Sequence, residues 1–255
     1  AWAANAERSA TGSTLLANEP HLGLTAPTIW YLARLELQSG GVIGGTIPGV
    51  PAIMTGRSAD LGWGLTSSYL DDQDVFLEEL NPENPNEYRT ENGWAPFRTR
   101  ESIINVKDGP AVTLKLLWTQ NGPVMPAAQY DLGAITPAGH VAAIGWTALS
   151  NKDTSMSAAL GITHAQNVKE AIKAAEDYIA PSQNLTLADR NQIALKLIGA
   201  MPARNAAHQS KGRLPAYGYL PENRWQGRLP YDANPEFVNP TGGILGNTNN
   251  KTVDR

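Results

Sequence analysis

Glycine and proline punctuate this chain so often that no long helix or unbroken strand can run through most of it. Twenty-four glycines and 18 prolines are spread over 255 residues, and the apolar runs between them are short. Residues 29–37 (IWYLARLEL) set Arg34 and Glu36 among apolar side chains, as a half-buried strand does. Residues 42–54 are apolar but carry Pro48 and Pro51, which argue against a central strand because proline gives no N–H to a ladder. Residues 61–68 and 75–80 read as further short strands, and 81–87 (NPENPNE) as a turn. Residues 102–106 and 111–118 suit a hairpin joined through Lys107, Asp108, Gly109 and Pro110. One segment has a helical period: Val168, Ala171, Ile172, Ala175 and Ile179 share a face, with Lys169, Glu170, Lys173 and Glu176 opposite. Asn167 caps it, Glu170 completes a capping box, and Pro181 ends it. Residues 185–187 and 193–197 then flank the polar turn 189–192, and 212–240 are loop-rich. The pattern predicts a β-rich α+β fold with few helices, without repeat or linker.

Composition removes whole classes of function. At 42% hydrophobic and 17% charged residues the chain can bury a core. A net charge of -4 leaves no basic footprint for nucleic acid. The absence of cysteine excludes disulfides, a thiolate nucleophile and cysteine-ligated zinc. No apolar run approaches the ~18–20 residues that span a bilayer, so no membrane partner is expected. Neither GxSxG nor HExxH occurs. The residues alone lead to a soluble α+β domain that is part of something larger.

Five ordered blocks carry a more specific message. They are LLANEPHLGLTAPTIWY (15–31), PGVPAIMTGRSADLGWGLTSSYLDDQDVF (48–76), GWTAL (145–149), APSQNLTLADRNQIALKLIGAMPAR (180–204) and NPTGGILGNTNN (239–250). Together with the opening Ala1-Trp2, they resemble the β chain of penicillin acylases, a family of N-terminal-nucleophile (Ntn) amidohydrolases that includes cephalosporin acylases and quorum-quenching relatives. The resemblance implies a four-layer αββα sandwich, of which residues 1–255 form the N-terminal part of the β-chain domain. It implies partners too: an α chain from the same precursor, the remainder of the β chain, and a small N-acyl amide as substrate. Periplasmic or secreted localisation in a bacterium is implied by the family alone.

In that family a serine freed by cleavage becomes residue one, usually followed by Asn, and the pattern puts this serine two positions before Ala1. Its own α-amine, with an unperturbed pKa of roughly 7.7–8.0, takes the hydroxyl proton. The acyl-enzyme is then hydrolysed by water, and no cofactor takes part in catalysis. By resemblance, Asn184 supplies a side-chain oxyanion donor and Ser67 a backbone one, so Ser67→Ala should be mild. His21 stands where the family varies and is expected beside the nucleophile. Arg204 is expected to order the Asn and the N-terminal residue. Asn249 is the more plausible supporting residue of the pair Asn249 and Asn250. Leu22, Leu24, Pro48 and Val50 are expected to line the acyl pocket, and Leu22 replaces an aromatic of penicillin G acylases. Asp71, Gln73 through its carbonyl, Asp74 and Asp189 match a structural calcium site, since hard cations prefer oxygen ligands.

Taken singly, each of these residues has a plainer reading: Asn184 in a turn, Ser67 at a strand end, His21 on a loop carbonyl, Arg204 in a surface ion pair, the apolar set in the core, the aspartates in a solvated turn. A second function also stays open, a scaffold lacking the nucleophile that serves as a binding or structural unit.

Overall fold

The computed structural model describes residues 1–38 and 40–252. The chain divides into two compact units, one made of residues 1–70, 151–201 and 229–255, the other of 71–150 and 202–228. Each is assembled from separated stretches of sequence, so no linker composition marks the division.

In chain order the strands of the first unit are β1 (Trp2–Ala4), β2 (Leu15–Ala17), β3 (Tyr31–Leu37), β4 (Gly40–Thr46), β5 (Thr55–Arg57), β6 (Leu61–Ser67), β7 (Gln183–Asp189), β8 (Ile193–Ile198), β9 (Glu236–Val238) and β10 (Ile244–Gly246). Helices α1 (Ser155–His164) and α2 (Val168–Ala174) come between β6 and β7. Seven strands form one antiparallel sheet in the order β9-β8-β7-β6-β5-β4-β3, and three form a second, β10-β1-β2.

Side-chain alternation along a strand decides what each face of the large sheet meets. Trp63, Leu65, Leu185 and Leu187 pack on one side with Ala158 and Ile162 of α1 and Val168 and Ala171 of α2. Ala188, Ile193 and Leu195 face the other way, onto Ala3, Leu16 and Leu245 of the small sheet. The unit is therefore helix on sheet on sheet, three layers of an αββα sandwich. Gly64 permits close approach between the two sheets, since a Cβ there would lie 2.7 Å from the side chain of Asn18.

The expected helix forms as α2 and is capped as its sequence predicts. The Asn167 side chain accepts from the Glu170 N–H, and Glu170 in turn accepts from Asn167 Nδ2 and the Gln166 N–H. Helix α1 is not foreshadowed by periodicity. Its sequence, SMSAALGITH, is dominated by small side chains, and it starts on Asp153, which accepts from Ser155 N–H and Oγ. Strand β3 matches its sequence signature in extent, but most of its residues are exposed rather than half-buried.

In the second unit, strand Gln73–Glu79 pairs antiparallel with His140–Trp146 and parallel with Ala216–Tyr217. Arg98–Ile104 and Val112–Trp118 form the expected hairpin, and Pro202–Arg204 pairs with Trp225–Arg228. No helix among the described residues is long and apolar enough to cross a membrane.

Candidate active site

Between the two sheets of the first unit lies a strip of buried polar side chains: Thr66 on β6, Asn184 and Thr186 on β7, and Asn247 just beyond β10. An apolar interlayer would be the default. Burying amides there costs free energy unless they are hydrogen-bonded. Asn184, fully buried at 0% exposure, donates through Nδ2 to Thr66 O (3.4 Å), Ser67 O (3.2 Å) and Asn247 Oδ1 (3.1 Å). These bonds hold Nδ2, the group that the sequence suggests for the oxyanion, beside the end of β6. Its Oδ1 and the hydroxyl of Thr186 have no partner among the described residues.

Asn247 is the residue that sequence reasoning passed over. It is 1% exposed. Its Oδ1 accepts from Asn184 Nδ2 and, at 2.7 Å, from the Asn249 N–H. Oδ1 is also approached by Thr66 Oγ1 at 3.5 Å, and Nδ2 makes a long bond of 3.3 Å to Asn250 O. Alternation could have found it. Leu245 is buried, Gly246 exposed and Asn247 buried, so Asn247 continues the inward face of β10. Asn249 acts through its backbone N–H and has a left-handed φ of 66°.

Ser67 contributes backbone. It pairs with Gln183, and the next pair along carries the Ser68 N–H to Ser182 O bond. Antiparallel ladders alternate bonded and non-bonded pairs. Ser67↔Gln183 is thus a non-bonded pair, and the Ser67 N–H points away from β7. On that side β5 pairs with β6 only at Gly62 and Trp63, so no ladder partner reaches Ser67.

Ala1 closes the strip. Ala1 N donates to Asn247 O at 3.0 Å, and Asn247 N donates to Ala1 O at 2.9 Å. The β1–β10 ladder is thereby extended one pair beyond Trp2↔Gly246.

The remaining expected site residues lie elsewhere. His21 is exposed, and its charged neighbour is Glu19 at 3.5 Å. Leu22 is exposed, Leu24 fully so at 103%, Pro48 exposed and Val50 half-buried. None of these four is a core residue. One apolar void of this unit, between Met54, Trp63, Leu65, Ile162 and Tyr178, has a volume of about 10 Å³, the size of a single water site and too small for an acyl chain.

The Arg204 guanidinium, in the second unit, binds Asp71 Oδ2 and Oδ1 (2.9 and 3.2 Å), Asp74 Oδ2 and Oδ1 (2.9 and 3.1 Å) and Gln73 O (3.3 Å). These oxygens are the set expected to ligate calcium. As arranged they do not fit a metal ion, because a forked cation already fills the space between them. Asp189 belongs to the first unit and is fully used there. It accepts from the N–H groups of Asn191, Gln192 and Val168, closing the turn and seating the start of α2. Among the described residues no group of three or more His, Asp or Glu side chains is placed to hold a metal.

Comparison with known proteins agrees with this architecture. The family model described as penicillin amidase matches residues 1–255. The acyl-homoserine lactone acylase QuiP of Pseudomonas aeruginosa is 26% identical over 257 residues, covering 99% of this chain and 30% of that protein. Penicillin G acylase of Escherichia coli is 28% identical over 254 residues, covering 98% of this chain and 28% of its own length. The solved structure of thermostable penicillin G acylase from Alcaligenes faecalis superposes with a TM-score of 0.86 at 29% identity, over 99% of this chain and 44% of that one. The chain thus spans less than a third of the length of these two sequence relatives.

Proposed function

The chain belongs to the penicillin amidase family, and on that premise we propose that it carries the oxyanion-binding part of an acylase whose nucleophile is a serine two positions before Ala1. One observation carries this reading: the register of Ala1 against Asn247. Ala3 is buried between the sheets and Trp2 is exposed, so alternation turns Ala1 inward and, two residues earlier, turns the serine inward as well. That side chain then enters the interlayer beside Thr66, Asn184 and Asn247. A serine one position before Ala1 would point outward, on the face of Trp2.

The chemistry follows from this geometry. The serine α-amine takes the proton from its own Oγ, directly or through a water. Burial of that amine between the sheets would favour its neutral, basic form. Oγ attacks the amide carbonyl, and the tetrahedral oxyanion is met by the Ser67 N–H and Asn184 Nδ2. Collapse expels the amine, which takes the proton, and leaves an acyl-enzyme. Water attacks the ester by the same route and releases the acid. Asn247, whose Oδ1 accepts from Asn184 Nδ2, lies beside that donor.

The substrate is an N-acyl amine, either an N-acyl homoserine lactone or a β-lactam side-chain amide. Leu22 and Leu24, apolar yet exposed, are available to the acyl chain, and His21 stands beside them. The test is release of free amine by the full-length protein carrying this chain. The panel is N-acyl homoserine lactones of increasing chain length alongside phenylacetyl and aliphatic β-lactam amides. Turnover of any member with acid and amine in equal amounts supports the reading. Lactone opening with the amide intact, or no turnover by fully processed protein, overturns it.

A further inference from the structure

The core of the second unit encloses charge that its own hydrogen bonds do not use up. Glu78, on the strand Gln73–Glu79, is 0% exposed. Its Oε1 accepts from Thr119 Oγ1 at 2.8 Å and from Asn121 Nδ2 at 2.9 Å. Its Oε2 is buried and has no hydrogen-bond partner among the described residues. Gly218 backs that oxygen so closely that a Cβ there would lie 2.4 Å from it. Arg224 presents the complement. Its Nη1 donates to Glu91 Oε1 at 2.9 Å, while Nε and Nη2 are buried and likewise without a partner among the described residues. The two sets share one neighbourhood. The charge of Arg224 acts on the Glu78 carboxyl, against the larger effect of burial. Tyr88, whose hydroxyl accepts from the Gln120 N–H at 2.9 Å, is raised by burial first and feels the charges of both Glu78 and Arg224.

From these groups we infer that the second unit has an internal binding site for one water molecule between Glu78 and Arg224, which completes a water-mediated ion pair in its core. A carboxylate oxygen left bare inside a protein is costly, and so is a bare edge of a guanidinium. The bonding capacities match a single water. Nε–H and one Nη2–H lie side by side on one edge of the planar guanidinium and converge on one acceptor. A water oxygen accepts from both and donates one hydrogen to Oε2, which makes roughly the three bonds usual for an internal water. Such a bridge is nearly as favourable in enthalpy as direct contact. A metal ion does not suit the place, because the guanidinium would repel it. The bridge also has a structural consequence. It ties Arg224 to the strand Gln73–Glu79 and, through Glu78 Oε1, to the turn at Thr119 and Asn121, three stretches far apart in sequence.

Two measurements on the full-length protein carrying this chain test the site. A high-resolution crystal structure should show ordered density within hydrogen-bond distance of Glu78 Oε2 and of Arg224 Nε and Nη2. Direct contact between the two side chains, or no density between them, would overturn the inference. A double-mutant cycle in urea at neutral pH then asks whether the pair is coupled. Arg224→Met should lower the folding equilibrium constant roughly 5- to 30-fold. In the Glu78→Gln background the same substitution should cost several-fold less, because the charge that faced it is gone. The pairing of Arg224 with Glu91 is lost equally in both backgrounds and cancels. Equal fold-losses in the two backgrounds would make Arg224 and Glu78 independent and overturn the bridge. Should Arg224→Met not fold, the crystal structure of the unsubstituted protein still decides.

Discussion

Arg204→Ala should be the most destabilising single truncation in the second unit. The guanidinium side chain is 8% exposed and makes salt bridges to Asp71, 26% exposed, and Asp74, 4% exposed. Asp74 also accepts from the indole N–H of Trp225. Removing the cation leaves two carboxylates facing each other across the vacated space, one of them fully desolvated. Breaking a buried pair by deleting one partner costs about 3–5 kcal/mol, and the partial exposure of Asp71 argues for the lower end, about 3 kcal/mol. For a cooperative unit of about 150–250 residues, larger than the second unit alone, that is roughly 6–12 °C in Tm. Differential scanning calorimetry on the full-length protein measures it. Arg204→Lys should recover only part of the loss, since an ammonium cannot donate in parallel to both carboxylates. Chelation with EDTA should leave the unsubstituted protein unchanged, whereas millimolar calcium should restore part of the Tm of Arg204→Ala, whose oxygens become available to a hard cation. A Tm drop in Arg204→Ala worth less than about 1 kcal/mol, the scale of an ordinary surface pair, or a fall in the unsubstituted protein on adding EDTA, would refute the reasoning.

Three other outcomes follow from the same geometry. Asn184→Ala should lower kcat by roughly 10²–10³-fold while Ser67→Ala, which keeps its backbone N–H, stays within a few-fold; steady-state kinetics with comparable losses in both would contradict the donor assignment. Glu78 is fully buried. Burial pushes its carboxyl above the ordinary value of 4.5, with hydrogen bonds from Asn121 and Thr119 and the charge of Arg224 pulling the other way. The native state then binds the proton more tightly, so this stability is present below 4.5 and drains as pH rises through the folded value. Glu78→Gln should flatten that decline, and urea midpoints from pH 4 to 8, about the span across which a raised carboxyl titrates, should diverge from the parent with rising pH; parallel curves would remove Glu78 as the cause. Gly64→Ala should cost about 1–3 kcal/mol by overpacking against Asn18, and an unchanged denaturation midpoint would show that the interlayer gives way.

Much of the scaffold is legible in the sequence, because short strands bounded by Gly, Pro and Asn are local features. The hairpin of β7 and β8 around Asp189, strand β6, and the Asn167–Glu170 cap all form where their residues put them. Helix α1 is hidden because its residues are small on every side. It packs by close approach, Gly161 lying where a Cβ would meet the Ala174 methyl at 3.0 Å, and such packing leaves no apolar stripe to read. The site is legible as a set of blocks but not as an assignment within them. Asn184 and Asn247 are both asparagines in recognisable blocks, and that their side chains meet depends on the approach of two sheets, a non-local fact. Arg204 shows the same limit. A cation near carboxylates can be read from sequence, whereas its enclosure by Asp71, Gln73 and Asp74 together comes from the pairing of distant strands.

The most direct measurement is N-terminal sequencing and intact mass of the mature natural protein, combined with its rate of amide hydrolysis. The expected result is a chain that starts with serine two positions before Ala1, accompanied by a separate α chain, and releases amine from an N-acyl substrate. A mature chain that starts at Ala1, or one that carries a residue without a hydroxyl or thiol at that inward-facing position, would contradict the nucleophile assignment and leave a binding scaffold in place of an acylase.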